Sequence, residues 1–330
     1  MSWLQSCIRR TNVIATLFNR LGAMSFLSPT SPLGHVSELL PWRGRRREKR
    51  HQTFSAPTRS GSEVQSRTAL YRGGRVAVFD FSESFEGVST PVPSVSVLQQ
   101  ENFMATFDRE IEKLDAWAAK QGWQLPSPFP KLRIHISQRY RTARSLVPQW
   151  TGEPGRMEFP AFRVAVGEAN VLHELAHIYF PNANRMLAEG LAVYLQQEIG
   201  ENVSYPDFGE NLHLFIRREL KAGLGCGVQH ISIRSLDQIT TPTSLMLRVG
   251  RRTIRDGWTY FFAGSFARFL IETYKSDKFY ALYSRTPLVP LQRDAGSPDR
   301  WREVYGFSLD ELERQWKELI SSLNCSDAMS

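Results

Sequence analysis

The sequence predicts an α+β fold. It comprises a small N-terminal mixed sheet with helices, a pair of short apolar helices near the middle, and a mostly helical C-terminal part. Three observations predict it. Alternating apolar and polar residues, the mark of half-buried strands, are confined to 75–81, 131–136 and 162–166. Apolar residues at helical spacing dominate from 169 onward. No repeat recurs along the chain, and strands followed by helices exclude a regularly alternating α/β architecture.

The elements follow in order. Residues 1–66 read as a basic leader and flexible linker. The first 37 contain no acidic residue and open with arginines scattered among Leu, Ile, Val and Phe, the composition of an organelle-import peptide. A disordered bacterial extension, or a true start at Met24, fits the same residues. Arg47-Glu48-Lys49-Arg50 resembles a dibasic processing site, but such a charge run beside HQTFSAPTRSGSE reads better as solvated linker.

A domain spanning 67–324 follows, with 325–330 as a tail. Arg75-Val76-Ala77-Val78-Phe79-Asp80-Phe81 is its first clear strand. Phe103, Phe107, Ile111, Leu114 and Trp117 then mark one face of a helix over 101–121. Lys131 to Ile136 alternates again, and Phe162-Arg163-Val164-Ala165-Val166 reads as a further strand. Near the end, Ser308-Leu309-Asp310-Glu311 is a capping box opening a helix that aligns Leu309, Leu312, Trp316 and Ile320.

Bulk properties exclude some functions. The net charge of +8 comes from the first 60 residues, which hold ten basic and two acidic groups and leave 31 of each sign elsewhere. The domain is therefore electrostatically balanced, and its charge predicts no nucleic-acid partner. No apolar run approaches the ~20 residues of a transmembrane helix. Cys7, Cys226 and Cys325 are odd in number and far apart, so they form neither a CxxC pair nor a disulfide framework.

The chemistry concentrates in ANVLHELAHIYF, residues 169–180. On a helix, His173 and His177 leave the same face one turn apart, so both imidazoles can reach one ion. Glu174 projects about 100° around the helix, close enough to touch a metal-bound water without ligating the metal. Every other position from Val171 to Phe180 is apolar or aromatic, so the three polar groups cost several kcal/mol unless something satisfies them. A divalent cation would do so; a buried helix with a chance match to His-Glu-x-x-His is the other reading. Pro181-Asn182-Ala183-Asn184 signals a turn, and Arg185 to Leu195 reads as a second helix packing back on the first. Its Glu189 stands among Ala188, Gly190 and Ala192, whose small side chains allow close approach and make it a third ligand. An ordinary solvated acid near a helix start is the alternative.

HELAH followed after a turn by LAEGLAVYL resembles the gluzincin zinc metallopeptidases, the group containing thermolysin and aminopeptidase-N-like enzymes. The segments YFFAGSFARFL, YKSDKFYALY and VYGFSLDELERQWKEL resemble the C-terminal half of the compact peptidase-MA-like domains, extending the likeness over 75–323. It implies a thermolysin-like catalytic core and one Zn2+ per chain on His173, His177 and Glu189. It also implies an open fourth position for water, Glu174 as general base, and a peptide or protein substrate. The gap between His177 and Glu189 is shorter than in thermolysin. Val193 stands where thermolysin-like enzymes place a second carboxylate, which leaves the partner that orients His173 unidentified.

Related enzymes supply a tyrosine from a downstream helix to the oxyanion, which implies Tyr260 as a second catalytic residue; a core tyrosine is the competing reading. His213 and His230 are further candidate donors. Gly155-Arg156-Met157-Glu158-Phe159 is compared with the Gly-x-Met-Glu-Asn of aminopeptidases, in which the glutamate holds a free amine, but Phe159 replaces the asparagine. Phe162 to Val166 is the expected edge strand for an extended peptide. The second functional reading is an inactive, metal-binding relative that binds a peptide or partner protein in its groove. Intact Glu174 favours the enzyme.

Overall fold

Two of the aromatic residues expected along one helical face, Phe103 and Phe107, meet the sheet, while Trp117 packs on Trp123 and Phe180. The computed structural model describes residues 66–71, 75–85, 88–91, 95–126, 131–147, 155–202, 204, 209–219, 231–237, 246–249, 252–255, 257–286 and 296–323. Helix α1 (Val97–Gln121) buries Phe103, Phe107, Ile111, Leu114 and Trp117. Its start is fixed by a capping box in which Ser96 Oγ accepts from Gln99 N and the Gln99 side chain accepts from Ser96 N. Gly122 ends it at φ 70°, a left-handed conformation that disfavours a Cβ.

The strands in chain order are β1 (Ser66–Tyr71), β2 (Arg75–Asp80), β3 (Ser82–Phe85), β4 (Val88–Pro91), β5 (Leu132–Ser137), β6 (Arg144–Leu146) and β7 (Arg156–Pro160). Five of them form a mixed sheet in the order β1-β2-β5-β7-β6, while β3 and β4 make a separate hairpin. Strands β2, β5 and β7 run parallel, with β1 and β6 antiparallel on the two edges. In register, Phe79 faces Ile134 and Ile134 faces Met157, so one row of buried side chains crosses the parallel strands. Helix α1 covers this face, with ring centroids 5.3 Å apart for both Phe79–Phe107 and Phe103–Phe159. Edge-to-face aromatic pairs add about 0.5–1.5 kcal/mol each beyond the area they bury.

Residues 162–166 correct the sequence reading. They form helix α2 (Ala161–Val166), not an edge strand. Strand β7 ends at Pro160, which occupies the N-cap, and Gly167 closes the helix at φ 74°. Ala161 and Val164 face inward, while Phe162 and Val166, four residues apart, both face solvent. Apolar alternation over five residues does not separate these two conformations; the flanking Pro and Gly do.

The rest is helical: α3 (Val171–Tyr179), α4 (Arg185–Ile199), α5 (Leu212–Glu219), α6 (Arg234–Asp237), α7 (Gly257–Tyr274), α8 (Ser276–Ser284), α9 (Arg300–Tyr305) and α10 (Leu309–Ser322). A hairpin of β8 (Met246–Val249) and β9 (Arg252–Arg255) interrupts the helices. Helix α10 opens with the expected capping box and buries Leu309, Leu312, Trp316 and Ile320. The fold is thus α+β. The described residues belong to one compact unit, Ser60–Ser330. Among them, no helix is long and apolar enough to cross a membrane. The expected leader and tail, the linker up to residue 65, and His230 lie outside the described residues.

Helix α4 packs on α3 as expected, but its more extensive contact is with α7. A Cβ on Gly190 would stand 2.6 Å from the Ala263 carbonyl oxygen, and one on Gly264 would stand 2.5 Å from a Val193 methyl. Gly190 therefore serves contact with a third helix. Val193 fills the space above Gly264.

Candidate metal centre

Helix α3 is buried along its whole length, and the turn after it is held by buried amides. Asn182 Oδ1 accepts from Asn184 N at 2.9 Å, while its Nδ2 donates to the Tyr283 carbonyl at 2.9 Å. Asn184 Oδ1 caps α4 by accepting from Leu187 N at 3.0 Å. Its Nδ2 donates to Asp237, whose carboxylate also receives Arg300 and the Trp301 Nε1. A buried turn with its backbone satisfied by side chains has one stable shape, and that shape sets α4 against α3.

The result brings together His173, His177 and Glu189. Their three donor atoms lie within 4.8 Å of one another. His173 Nε2 is 3.1 Å from Glu189 Oε2, His177 Nε2 is 3.3 Å from the same oxygen, and the two Nε2 atoms are 3.3 Å apart. Ligands placed tetrahedrally about 2.0–2.1 Å from an ion stand about 3.3–3.4 Å from each other. The three separations therefore approximate one face of a coordination tetrahedron. Glu189 Oε2 is buried and accepts no hydrogen bond of acceptable geometry, despite its nearness to both imidazoles. A deprotonated oxygen without a donor beside two imidazole nitrogens fits a cation, so the trio could hold a metal ion.

Electrostatics point the same way. Glu189 is 2% exposed, and burial alone would raise its pKa. The Arg185 charge, together with contacts from both histidines, instead holds it well below the usual carboxylate range. Burial would lower His173, but Glu189, with a smaller contribution from Glu174, leaves its pKa raised. Arg185 touches the other oxygen of Glu189, Oε1, from one turn earlier on α4.

Glu174 stands beside the trio and outside it. Ser145 Oγ on β6 donates to its Oε2 at 2.8 Å, and Asn170 Nδ2 donates to its Oε1 at 3.1 Å. The Ser145 hydroxyl also lies 2.9 Å from the Glu174 carbonyl, which ties the sheet edge to α3. Tyr260, near the start of α7, lies with its ring centroid 6.2 Å from that of His173, and its hydroxyl hydrogen-bonds Arg185.

Other candidates are placed elsewhere. His213 is not part of the trio: its Nδ1 lies 2.6 Å from Ser265 Oγ, which also receives Trp316 Nε1. Burial, with the nearby Arg268 charge, pushes its pKa down to about 3. Glu158 is 1% exposed and paired with Arg144 on the neighbouring edge strand β6 and Arg156 on its own strand β7, so its charge is already matched. His173 Nδ1 is buried without a hydrogen-bond partner among the described residues.

Sequence reasoning missed Asn170, Arg185 and Ser145. Asn170 and Arg185 each precede a glutamate of this cluster by four residues, a spacing that places them on its helical face. Ser145 lies on a three-residue strand that carries no comparable signal. Comparison with family models and with curated proteins finds no match to either.

Proposed function

We propose that this chain is a zinc-dependent peptidase of the gluzincin type. One observation carries the reading: a trio of two imidazoles and a carboxylate at tetrahedral spacing, with a second carboxylate held beside it and left out of it. The donor set of two nitrogens and one oxygen suits zinc and leaves a fourth position for water. An ion bound there would polarise a peptide carbonyl and acidify water. Glu174 receives a proton from the attacking water on a carboxylate oxygen and returns it to the leaving amine. Ser145 and Asn170 hold that carboxylate in one orientation. Tyr260 donates from its hydroxyl to the developing oxyanion.

The core reads as thermolysin-like in one further respect. With residues 162–166 helical, β6 takes over as the antiparallel edge along which an extended substrate would lie. Ser145 joins that edge to Glu174, which supports a peptide substrate positioned directly over the base.

A peptide-library digest tests the reading. Wild-type protein loaded with zinc should cleave, and Glu174→Gln should retain the metal and cleave ~10²–10⁴-fold more slowly. A loaded wild type that cleaves nothing would favour the metal-binding relative that uses its groove for a peptide or partner protein.

A further inference from the structure

Arg185 poses an electrostatic puzzle. It begins α4, its side chain is only 13% exposed, and it stands against the carboxylate of Glu189, itself 2% exposed. A fixed cation beside a metal-binding carboxylate repels the metal. The same site could be built more favourably for a cation with a neutral residue at this position. What the guanidinium does contribute is geometric. It occupies Oε1 of Glu189, while Oε2 faces His173 and His177. It also hydrogen-bonds Tyr260, which reaches the site from α7. A planar fork of donors can serve two acceptors at fixed relative positions, which a compact ammonium does less well.

We propose that Arg185 is a positioning residue that restricts Glu189 to a single ligating oxygen and fixes the Tyr260 hydroxyl relative to it. A carboxylate with both oxygens free can bind an ion through either or both. Two-oxygen binding would add a fourth protein donor beside the water and crowd the position that substrate needs. With Oε1 engaged by the guanidinium, only Oε2 is available, and the protein contributes three donors. The same guanidinium links that ligand to the tyrosine, so the metal's open side and the oxyanion donor share one rigid reference. This inference rests on the metal-binding reading of the trio.

Cobalt(II) is the probe, because its visible bands are several-fold more intense with four ligands than with five. Full-length wild type loaded with cobalt should show the intense, four-coordinate spectrum. Arg185→Met should still bind about one cobalt, with band intensity reduced several-fold as Oε1 joins the ion. Arg185→Lys retains a charge for Oε1 and should recover most of that intensity. It should nonetheless lower kcat on a cleaved peptide by ~10-fold or more with little change in KM, because a point charge does not hold Tyr260. The lysine variant also decides the matter if the methionine variant does not fold. A spectrum unchanged in Arg185→Met would overturn the one-oxygen role, and an unchanged kcat in Arg185→Lys would overturn the link to Tyr260. Wild-type protein that takes up no cobalt would overturn the metal reading and this proposal with it. Uptake with an intensity indifferent to residue 185 would overturn this proposal alone.

Discussion

Ser145 Oγ lies 2.8 Å from Glu174 Oε2, so the edge of the sheet and the carboxylate beside the histidine pair form one hydrogen-bonded unit. The contact joins two segments far apart in sequence and settles the orientation of a side chain that helix geometry alone leaves free to rotate. Removing the hydroxyl should therefore affect catalysis more than folding. Ser145→Ala is expected to lower kcat by about 10-fold and to leave metal content unchanged, measured by steady-state hydrolysis beside metal analysis.

Tyr260→Phe removes the hydroxyl that Arg185 holds and keeps the ring beside His173. If the tyrosine supplies the oxyanion donor, kcat should fall by about 10²–10³-fold while KM changes little. The same variant should bind metal like the wild type.

Gly190→Ala tests how α4 is placed. The added methyl would stand 2.6 Å from a backbone oxygen of α7, which has no flexible side chain to yield. Alanine gains about 1 kcal/mol of helix propensity over glycine, but overpacking against backbone costs about 1–3 kcal/mol or more. A net loss of stability in urea unfolding is expected, together with weaker metal binding as Glu189 shifts from the histidines.

These relationships divide sharply in how far the sequence announces them. The spacing of His173, Glu174, His177 and Glu189 is local: two helices and a turn are enough to propose which groups meet, and the structure brings the three expected donors together. The faces of α1 and α10 were equally legible, because helical periodicity is repeated over many residues. Residues 162–166 were not, because one and a half turns of helix and a short strand impose similar apolar patterns. The contact between Gly190 and Ala263 depends on how α4 and α7 dock, which no local pattern encodes. In the sequence Arg185 is merely the first residue of a helix; its side chain is only 13% exposed and paired with Glu189.

His213 gives a pH signature that is independent of the metal. Burial lowers its pKa to about 3, against an ordinary value near 6.5. Between those two values the unfolded chain binds a proton that the folded chain refuses, so stability falls as pH drops. From pH 7 to pH 5 this group should remove about 1–2 kcal/mol. His213→Asn should flatten that part of the pH dependence, as read from urea midpoints at the two pH values. An equal slope in both proteins would contradict the burial argument.

Metal stoichiometry tests the central claim most directly. Purified full-length protein, reconstituted with zinc and freed of excess by gel filtration, should carry about one ion per chain. Glu189→Ala and His173→Ala, each still folded by circular dichroism, should carry none. A wild type that emerges without zinc, or variants that keep it, would contradict the assignment of His173, His177 and Glu189 as a metal centre.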